Sequence, residues 1–168
     1  MEKKLILVTG GAGYVGSVLV KKLIDKDYKV RILDRLFFGD EHIKDLIKDG
    51  NELIKLDIRD IENNQEVLKD VYAVMHLADI SNDPSCELNE EHTIENNIIG
   101  GQKLIEACKK NSVKRFIYSS SCSVYGARGD EEIIEENPRS PLSLYAKSKV
   151  EVENFLLGMQ DDKFLVTI

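Results

Sequence analysis

The stretch Leu5–Gly16, Leu-Ile-Leu-Val-Thr-Gly-Gly-Ala-Gly-Tyr-Val-Gly, constrains the fold of this chain more than any other. Leu5–Val8 is an apolar, β-rich run, short enough for a buried parallel strand and too short for a helix. Gly10, Gly13 and Gly16 follow at once, and Val15, Val18, Leu19 and Leu23 then recur at helical spacing. A strand, a glycine turn and a helix in that order point a helix N-terminus and its free N–H groups at an anion. In such a turn Gly10 allows the tight reversal, Gly13 lets the backbone approach a pyrophosphate, and Gly16 lets the helix close on the strand. Glycine turns also end strands for purely structural reasons. Here, however, a second β-rich run, Lys29–Leu33, ends at Asp34, eighteen residues beyond Gly16. That carboxylate completes a dinucleotide-binding fingerprint: it would accept hydrogen bonds from the adenosine ribose and repel a 2′-phosphate, which favours NAD over NADP. The plainer reading of Asp34 is an acidic turn residue, and Arg35 beside it could accommodate a 2′-phosphate.

The 168 residues suffice for one domain with a real core, spanning 1–168. A net charge of −7 argues against a nucleic-acid partner, whose phosphates favour a basic face. No apolar run reaches the length of a membrane span. The basic start, Met1–Lys4, leads straight into the strand and glycine turn and does not read as a signal peptide. Cys86, Cys108 and Cys122 lack Cys-x-x-Cys spacing and read as reduced thiols of a cytoplasmic protein. The three histidines are scattered, so no metal site is expected.

β-rich and helical segments alternate along the chain, which predicts an α/β fold with a parallel sheet covered on both faces. Helices are expected at Tyr14–Asp25, His42–Lys48, Glu91–Lys110 and from Tyr145 to Met159. Strands are expected at Glu52–Leu56, Val71–Leu77, Lys114–Ser121 and Phe164–Ile168, after the two already named. Six strands allow the doubly wound order 3-2-1-4-5-6. Ser81–Glu90 reads as a turn-rich loop over the carboxyl edge of the sheet, and Gly129–Pro141 as an exposed acidic loop. Gly100-Gly101 in mid-helix costs on the order of 1 kcal/mol per glycine relative to alanine, so a close packing or a cofactor approach must demand them. Cys108 falls on the apolar side of that helix. Strand period two places Ser119 and Ser121 on one face and Ser120 on the other. Tyr145 and Lys149, four apart, project from one helix face.

Thr9–Gly16 resembles the Thr-Gly-x-x-Gly-x-x-Gly element of the extended short-chain dehydrogenase/reductases, which include nucleotide-sugar epimerases and dehydratases; Gly-x-Gly-x-x-Gly can also be read from Gly11. Later residues carry the resemblance further. Asn96-Asn97-Ile98-Ile99-Gly100-Gly101 is similar to Asn-Asn-Val-x-Gly-Thr, and Ser119–Gly126 is similar to the Ser-Ser-Ser-x-Ser/Thr-Val-Tyr-Gly element of sugar epimerases. Tyr145-Ala146-Lys147-Ser148-Lys149, 24 residues after Ser121, matches the family's Tyr-x-x-x-Lys. The resemblance implies a Rossmann fold, NAD as cofactor, and Ser121, Tyr145 and Lys149 as the catalytic set. It implies cofactor contacts at Gly10, Gly13, Tyr14, Val15, Gly16, Asp34, Asp57, Ile58, Leu77, Ala78, Asn97 and Ser119, with Tyr145 and Lys149 on the nicotinamide side. Asp57 equally suits helix capping. His76 reads as a packing residue at a strand end. His76-Leu77-Ala78-Asp79 departs from the family's usual His-Leu-Ala-Ala. A carboxylate there would repel a pyrophosphate, so Asp79 is expected to point away or to shape the substrate side.

Tyrosine ionises near pH 10, so acting as a base at neutral pH needs a shift of about three units, roughly 4 kcal/mol. An ammonium at Lys149 would favour the phenolate, and Ser121 would steady the substrate oxygen. Family dehydratases usually carry Asp-Glu after the catalytic hydroxyl; Cys122 and Ser123 stand there and disfavour that reaction. Cys122 has no histidine partner nearby in sequence and is not expected to be a nucleophile. The expectation is the cofactor-binding half of an NAD-dependent nucleotide-sugar epimerase. A non-catalytic NAD-binding module, a regulatory or truncated protein, or a nucleotide-sugar dehydratase or reductase of the same family, is the alternative. Family members continue beyond the sixth strand into a smaller lobe that grips the nucleotide sugar. An uncovered strand edge there invites association, so a homo-oligomer is expected.

Overall fold

Leu5–Thr9 forms β1, the middle of a six-stranded parallel sheet, because its side chains are apolar on both faces. It pairs in parallel with β2 (Lys29–Asp34) on one side and β4 (Val71–His76) on the other, the latter with a register shift between Leu5 and Ile6. With β3 (Glu52–Lys55), β5 (Arg115–Tyr118) and β6 (Leu165–Thr167) the order is β3-β2-β1-β4-β5-β6, the doubly wound order expected. The chain is described by a computed structural model over residues 3–130 and 132–168. The first two residues of the basic start and Glu131 of the acidic loop lie outside the described residues.

Alternation along β1 splits the core in two. Ile6 and Val8 pack with Val30, Ile32 and Ala73 beneath α1 (Tyr14–Asp25), which contributes Val20 and Leu23. Leu7 packs with Leu33, Val74 and Phe116 on the opposite face, covered by Leu104, Ile105, Val152 and Leu156. The last four come from α4 (Gly101–Lys110) and α5 (Leu144–Met159), the latter capped by the Ser143 hydroxyl on the Ala146 N–H. Cys108 is buried in this second layer.

The turn after β1 depends on two glycines. Gly10 adopts φ +69°, and a Cβ there would come within 2.8 Å of the Leu77 backbone, so the turns after β1 and β4 touch main chain to main chain. A Cβ on Gly16 would overlap the Gly10 carbonyl oxygen and reach 2.7 Å from the Gly11 Cα, so α1 closes on the turn only because that atom is absent.

Four expectations are corrected. Ser81–Glu90 is not all loop: α2 (Asp83–Glu87) starts there, with the Asn82 side chain accepting the Ser85 N–H at 2.9 Å and Pro84 in its first turn. The helix over 91–110 is continuous but not uniformly α. After α3 (Glu90–Thr93), Ile94–Gly100 runs as a π-helix before α4 begins. Gly100 is there packed so closely that a Cβ would stand 3.1 Å from both Ile58 and Arg59, the close approach that mid-helix glycines require. Finally, β5 stops at Tyr118, three residues short of Ser121. Ser121 instead accepts the Ser123 N–H and opens a 3-10 turn over Cys122–Tyr125, so the strand alternation expected of Ser119, Ser120 and Ser121 does not apply. The region expected to be a short helix near His42 is likewise a 3-10 segment, Glu41–Leu46. Among the described residues no helix is long and apolar enough to cross a membrane.

Candidate active site

The carboxyl ends of β1, β2, β4 and β5 bring nearly all the candidate residues to one edge of the sheet. On the β1–β2 side the glycine turn is tied to Asp34. One Asp34 oxygen accepts the Ala12 N–H at 3.0 Å and the other the Leu36 N–H at 2.8 Å. Each carboxylate oxygen keeps a further lone pair for a ligand. His42 fastens the same turn from outside, with Nε2 2.8 Å from the Ala12 carbonyl. α1 opens on Gly13 without any side-chain cap and with no acidic residue in its first turn. Its initial N–H groups are therefore free for an anion. Tyr14 and Val15 stand exposed beside them, Tyr14 at 92%. An uncapped helix start, a turn of three glycines and one alanine, and a carboxylate at the next strand end fit the pyrophosphate and ribose of a dinucleotide.

Asp57 follows β3 and is held by Arg59, which donates its backbone N–H, Nε and Nη2 to the carboxylate at 2.8–3.0 Å. The capping role expected of Asp57 is thus present. The Arg59 guanidinium keeps its carboxyl below the usual range. Arg35 reaches the same carboxylate at 3.8 Å and lies over the Phe37 ring. Ile58 is buried in the core against Gly100. Leu77 and Ala78 form the turn that Gly10 touches.

On the β4–β5 side the chemistry gathers around α5. Tyr145 and Lys149 share one face, and the Lys149 Nζ lies 5.6 Å from the centre of the Tyr145 ring. The ammonium is 5% exposed and donates to the Ser119 carbonyl at 2.7 Å and to Asp79 Oδ2 at 2.5 Å. Ser121 Oγ is 2.9 Å from Ser123 Oγ. Ser120 points elsewhere, into a pairing with Glu153 that also takes the Arg139 guanidinium at 2.7 Å. Cys122 is a free, exposed thiol.

Asn97 serves the loop rather than the open edge. Its Oδ1 accepts the Ile80 N–H at 2.8 Å and its Nδ2 donates to the Ile80 carbonyl at 3.0 Å. Asn96 Nδ2 donates to that same Oδ1 at 3.0 Å. His76 is fully buried, bonded to the Thr9 hydroxyl at 2.7 Å, and desolvation pushes its protonation well down. Sequence reasoning missed the Asp79–Lys149 ion pair and the Glu153–Arg139–Ser120 cluster. The only available signals were the departure at Asp79 and the repetition of Tyr145, Lys149 and Glu153 at four-residue steps.

Residues 6–168 match the NAD dependent epimerase/dehydratase family. A putative UDP-glucose 4-epimerase of Methanocaldococcus jannaschii is 34% identical over 161 residues, which cover 90% of this chain and 50% of that protein. Among solved structures, the UDP-N-acetylglucosamine 4-epimerase from Methanobrevibacter ruminantium M1 in complex with UDP-N-acetylmuramic acid superposes with a TM-score of 0.88. It is 34% identical, over 99% of this chain and 54% of that one. The UDP-glucose 4-epimerase of Thermus thermophilus, in complex with NAD, gives a TM-score of 0.84 at 28% identity, over 96% of this chain and 53% of that one. The chain thus spans about half the length of the relatives it matches.

Proposed function

The chain belongs to the NAD-dependent epimerase/dehydratase family, and from that premise we propose that it forms the cofactor-binding half of a UDP-sugar 4-epimerase. The observation that carries this reading is the Tyr145–Lys149 pair on one face of α5, at the carboxyl edge that also holds the free start of α1. NAD bound along that edge would supply a reversible two-electron acceptor for the sugar carbon. Tyr145 removes the proton of the sugar hydroxyl and returns it after the sugar has turned its other face. Ser121 donates to the same oxygen and steadies the developing carbonyl. Lys149 stabilises the phenolate and has one N–H left beyond Ser119 and Asp79 for a ribose hydroxyl. Asp34 binds the adenosine ribose, and the Gly10–Gly16 turn takes the pyrophosphate. Leu157, Leu165 and Ile168 lie about half exposed near β6, which supports association between copies.

Calorimetric titration tests the cofactor assignment: NAD binds more tightly than NADP, and Asp34→Ala erodes the difference. Equal affinities in the unmutated chain overturn it. The chemistry is tested in the protein assembled with a sugar-binding lobe. There Tyr145→Phe abolishes UDP-sugar interconversion while NAD binding persists, and Cys122→Ala is nearly silent. Activity lost with the cysteine but kept without the tyrosine reverses the roles.

A further inference from the structure

Asp79 is a carboxylate in a place built to hold one. Its side chain is 2% exposed and is approached by donors from three elements. Lys149 Nζ of α5 lies 2.5 Å from Oδ2, and the Tyr118 hydroxyl of β5 lies 3.3 Å from the same oxygen. The other oxygen, Oδ1, faces His76 Nε2 of β4 at 3.8 Å, and neither atom has a hydrogen-bond partner among the described residues. The Thr9 hydroxyl oxygen lies 2.7 Å from His76 Nδ1 and also receives the Leu77 N–H at 3.3 Å.

The backbone holds this carboxylate in position. The Asp79 N–H bonds to the Leu77 carbonyl at 2.9 Å, and the next residue, Ile80, is clamped on both its N–H and C=O by Asn97. The other titratable groups nearby are occupied. Glu153 is paired with Arg139 and Ser120, and the Cys86 thiol donates to the Ile80 carbonyl at 3.3 Å. The two phenols, Tyr118 and Tyr145, lie under the same ammonium, with ring centres 4.6 and 5.6 Å from Lys149 Nζ.

We propose that Asp79 is a positioning residue for Lys149: it fixes the ammonium beside the Tyr145 ring and cancels much of the field that the ammonium would exert on the Tyr145 phenol. A lone buried ammonium favours a neighbouring phenolate. An ammonium 2.5 Å from a carboxylate acts as a dipole, whose field falls off faster with distance. The charge beside the Tyr145 ring is therefore a pair drawn from two different elements. The pair's bearing on catalysis rests on the reading of Tyr145 as the proton-transfer group, whereas its test does not.

The test is an NMR pH titration of the full chain labelled at tyrosine Cζ, with the Tyr145 resonance assigned by Tyr145→Phe. Asp79→Asn keeps the shape and removes the charge, and it moves the Tyr145 midpoint down by about one pH unit or more. Asp79→Glu returns it toward the original. Lys149→Met leaves the carboxylate alone with the phenols and moves the midpoint up, so it reads the same coupling with opposite sign should Asp79→Asn fail to fold. A Tyr145 midpoint unmoved in a folded Asp79→Asn or Lys149→Met variant overturns the proposal. If the midpoints move as stated but no UDP-sugar interconversion is found in the assembled protein, the positioning role stands and the epimerase reading falls.

Discussion

Gly13 and Gly16 stand three residues apart in one turn, and adding a methyl group to each produces opposite failures. At Gly16 the new Cβ overlaps the Gly10 carbonyl oxygen and lies 2.7 Å from the Gly11 Cα and 2.9 Å from the Gly10 carbonyl carbon. All three neighbours are main chain, so relief requires α1 to lift off the turn by about half an ångström or more. Overpacking costs about 1–3 kcal/mol where side chains can yield, and backbone neighbours place this site at the upper end. Alanine returns about 1 kcal/mol as a better helix former. Gly16→Ala should therefore lose at least about 2 kcal/mol of folding stability. At Gly13 the backbone is ordinary for an L-residue, φ −77° and ψ 177°, and the one close atom is the Gly10 carbonyl oxygen at 3.1 Å. The small squeeze there is offset by about 0.4–1 kcal/mol from the stiffer unfolded chain, so Gly13→Ala folds about as well as the original. Its methyl, however, stands at the free start of α1 and should weaken NAD at least about tenfold, or about 1.4 kcal/mol. The chain has no tryptophan, so urea unfolding is best followed by far-ultraviolet circular dichroism, with NAD affinity from calorimetry. A Gly16→Ala variant as stable as the original, or a Gly13→Ala variant that binds NAD undiminished, refutes the reasoning.

The buried pair gives a stability prediction of its own. Lys149→Met strands the Asp79 carboxylate and should cost about 3–5 kcal/mol, while adding Asp79→Asn recovers most of it; additive effects in the urea-unfolding cycle would contradict this. Asp57 gives a pH dependence. Its folded carboxyl is held below the ordinary value of 3.8 by Arg59, so its contribution is complete above about pH 4 and is lost as pH falls through the lowered value. Chemical unfolding below pH 4 should accordingly bring the original and Asp57→Asn together, with the original ahead at neutral pH. Thiol labelling of the native chain should modify Cys122 quickly and leave Cys86 and Cys108 protected, because burial removes access and pushes both thiols up. Mass mapping that finds Cys108 labelled first would contradict the core assignment.

The sheet was legible because its strands are written in short-range terms. The run at Leu5–Val8 is apolar on both faces, Lys29–Leu33 carries Val30 and Ile32 on one face, Val71–Leu77 is largely apolar, and the start and end of α1 coincide with the expected Tyr14 and Asp25. Errors gathered where a polar side chain competes with the backbone pattern. Ser121 looked like a strand residue from its neighbours, but its hydroxyl accepts a backbone N–H two residues on and ends the strand early. Asn82 and Pro84 together form a helix start, which the turn-rich composition of their neighbourhood masked. The π-helical stretch has no local signature beyond Gly100-Gly101. Its reasons are distant, in Ile58 and Arg59 packed against Gly100 and in Ile80 held by Asn97. The glycine turn and Asp34 were readable because eighteen residues and one crossover connect them. The pairing of Asp79 with Lys149 spans seventy residues, and only the folded sheet puts the two side chains in one pocket.

The contact between the turns after β1 and β4 has a mechanical side. Gly10 rests on the Leu77–Ala78 peptide with no side chain between them, and Leu77 also donates its N–H to the Thr9 carbonyl at 3.1 Å. The two loops are thus a single stiff plate. One end of it is the anion cradle, and the other, two residues past Leu77, is the carboxylate that grips Lys149. Grafting a relative's phosphate turn onto this chain, or shortening the loop after β4, would therefore disturb both ends together. Redesign at either end has to treat the two turns as one part.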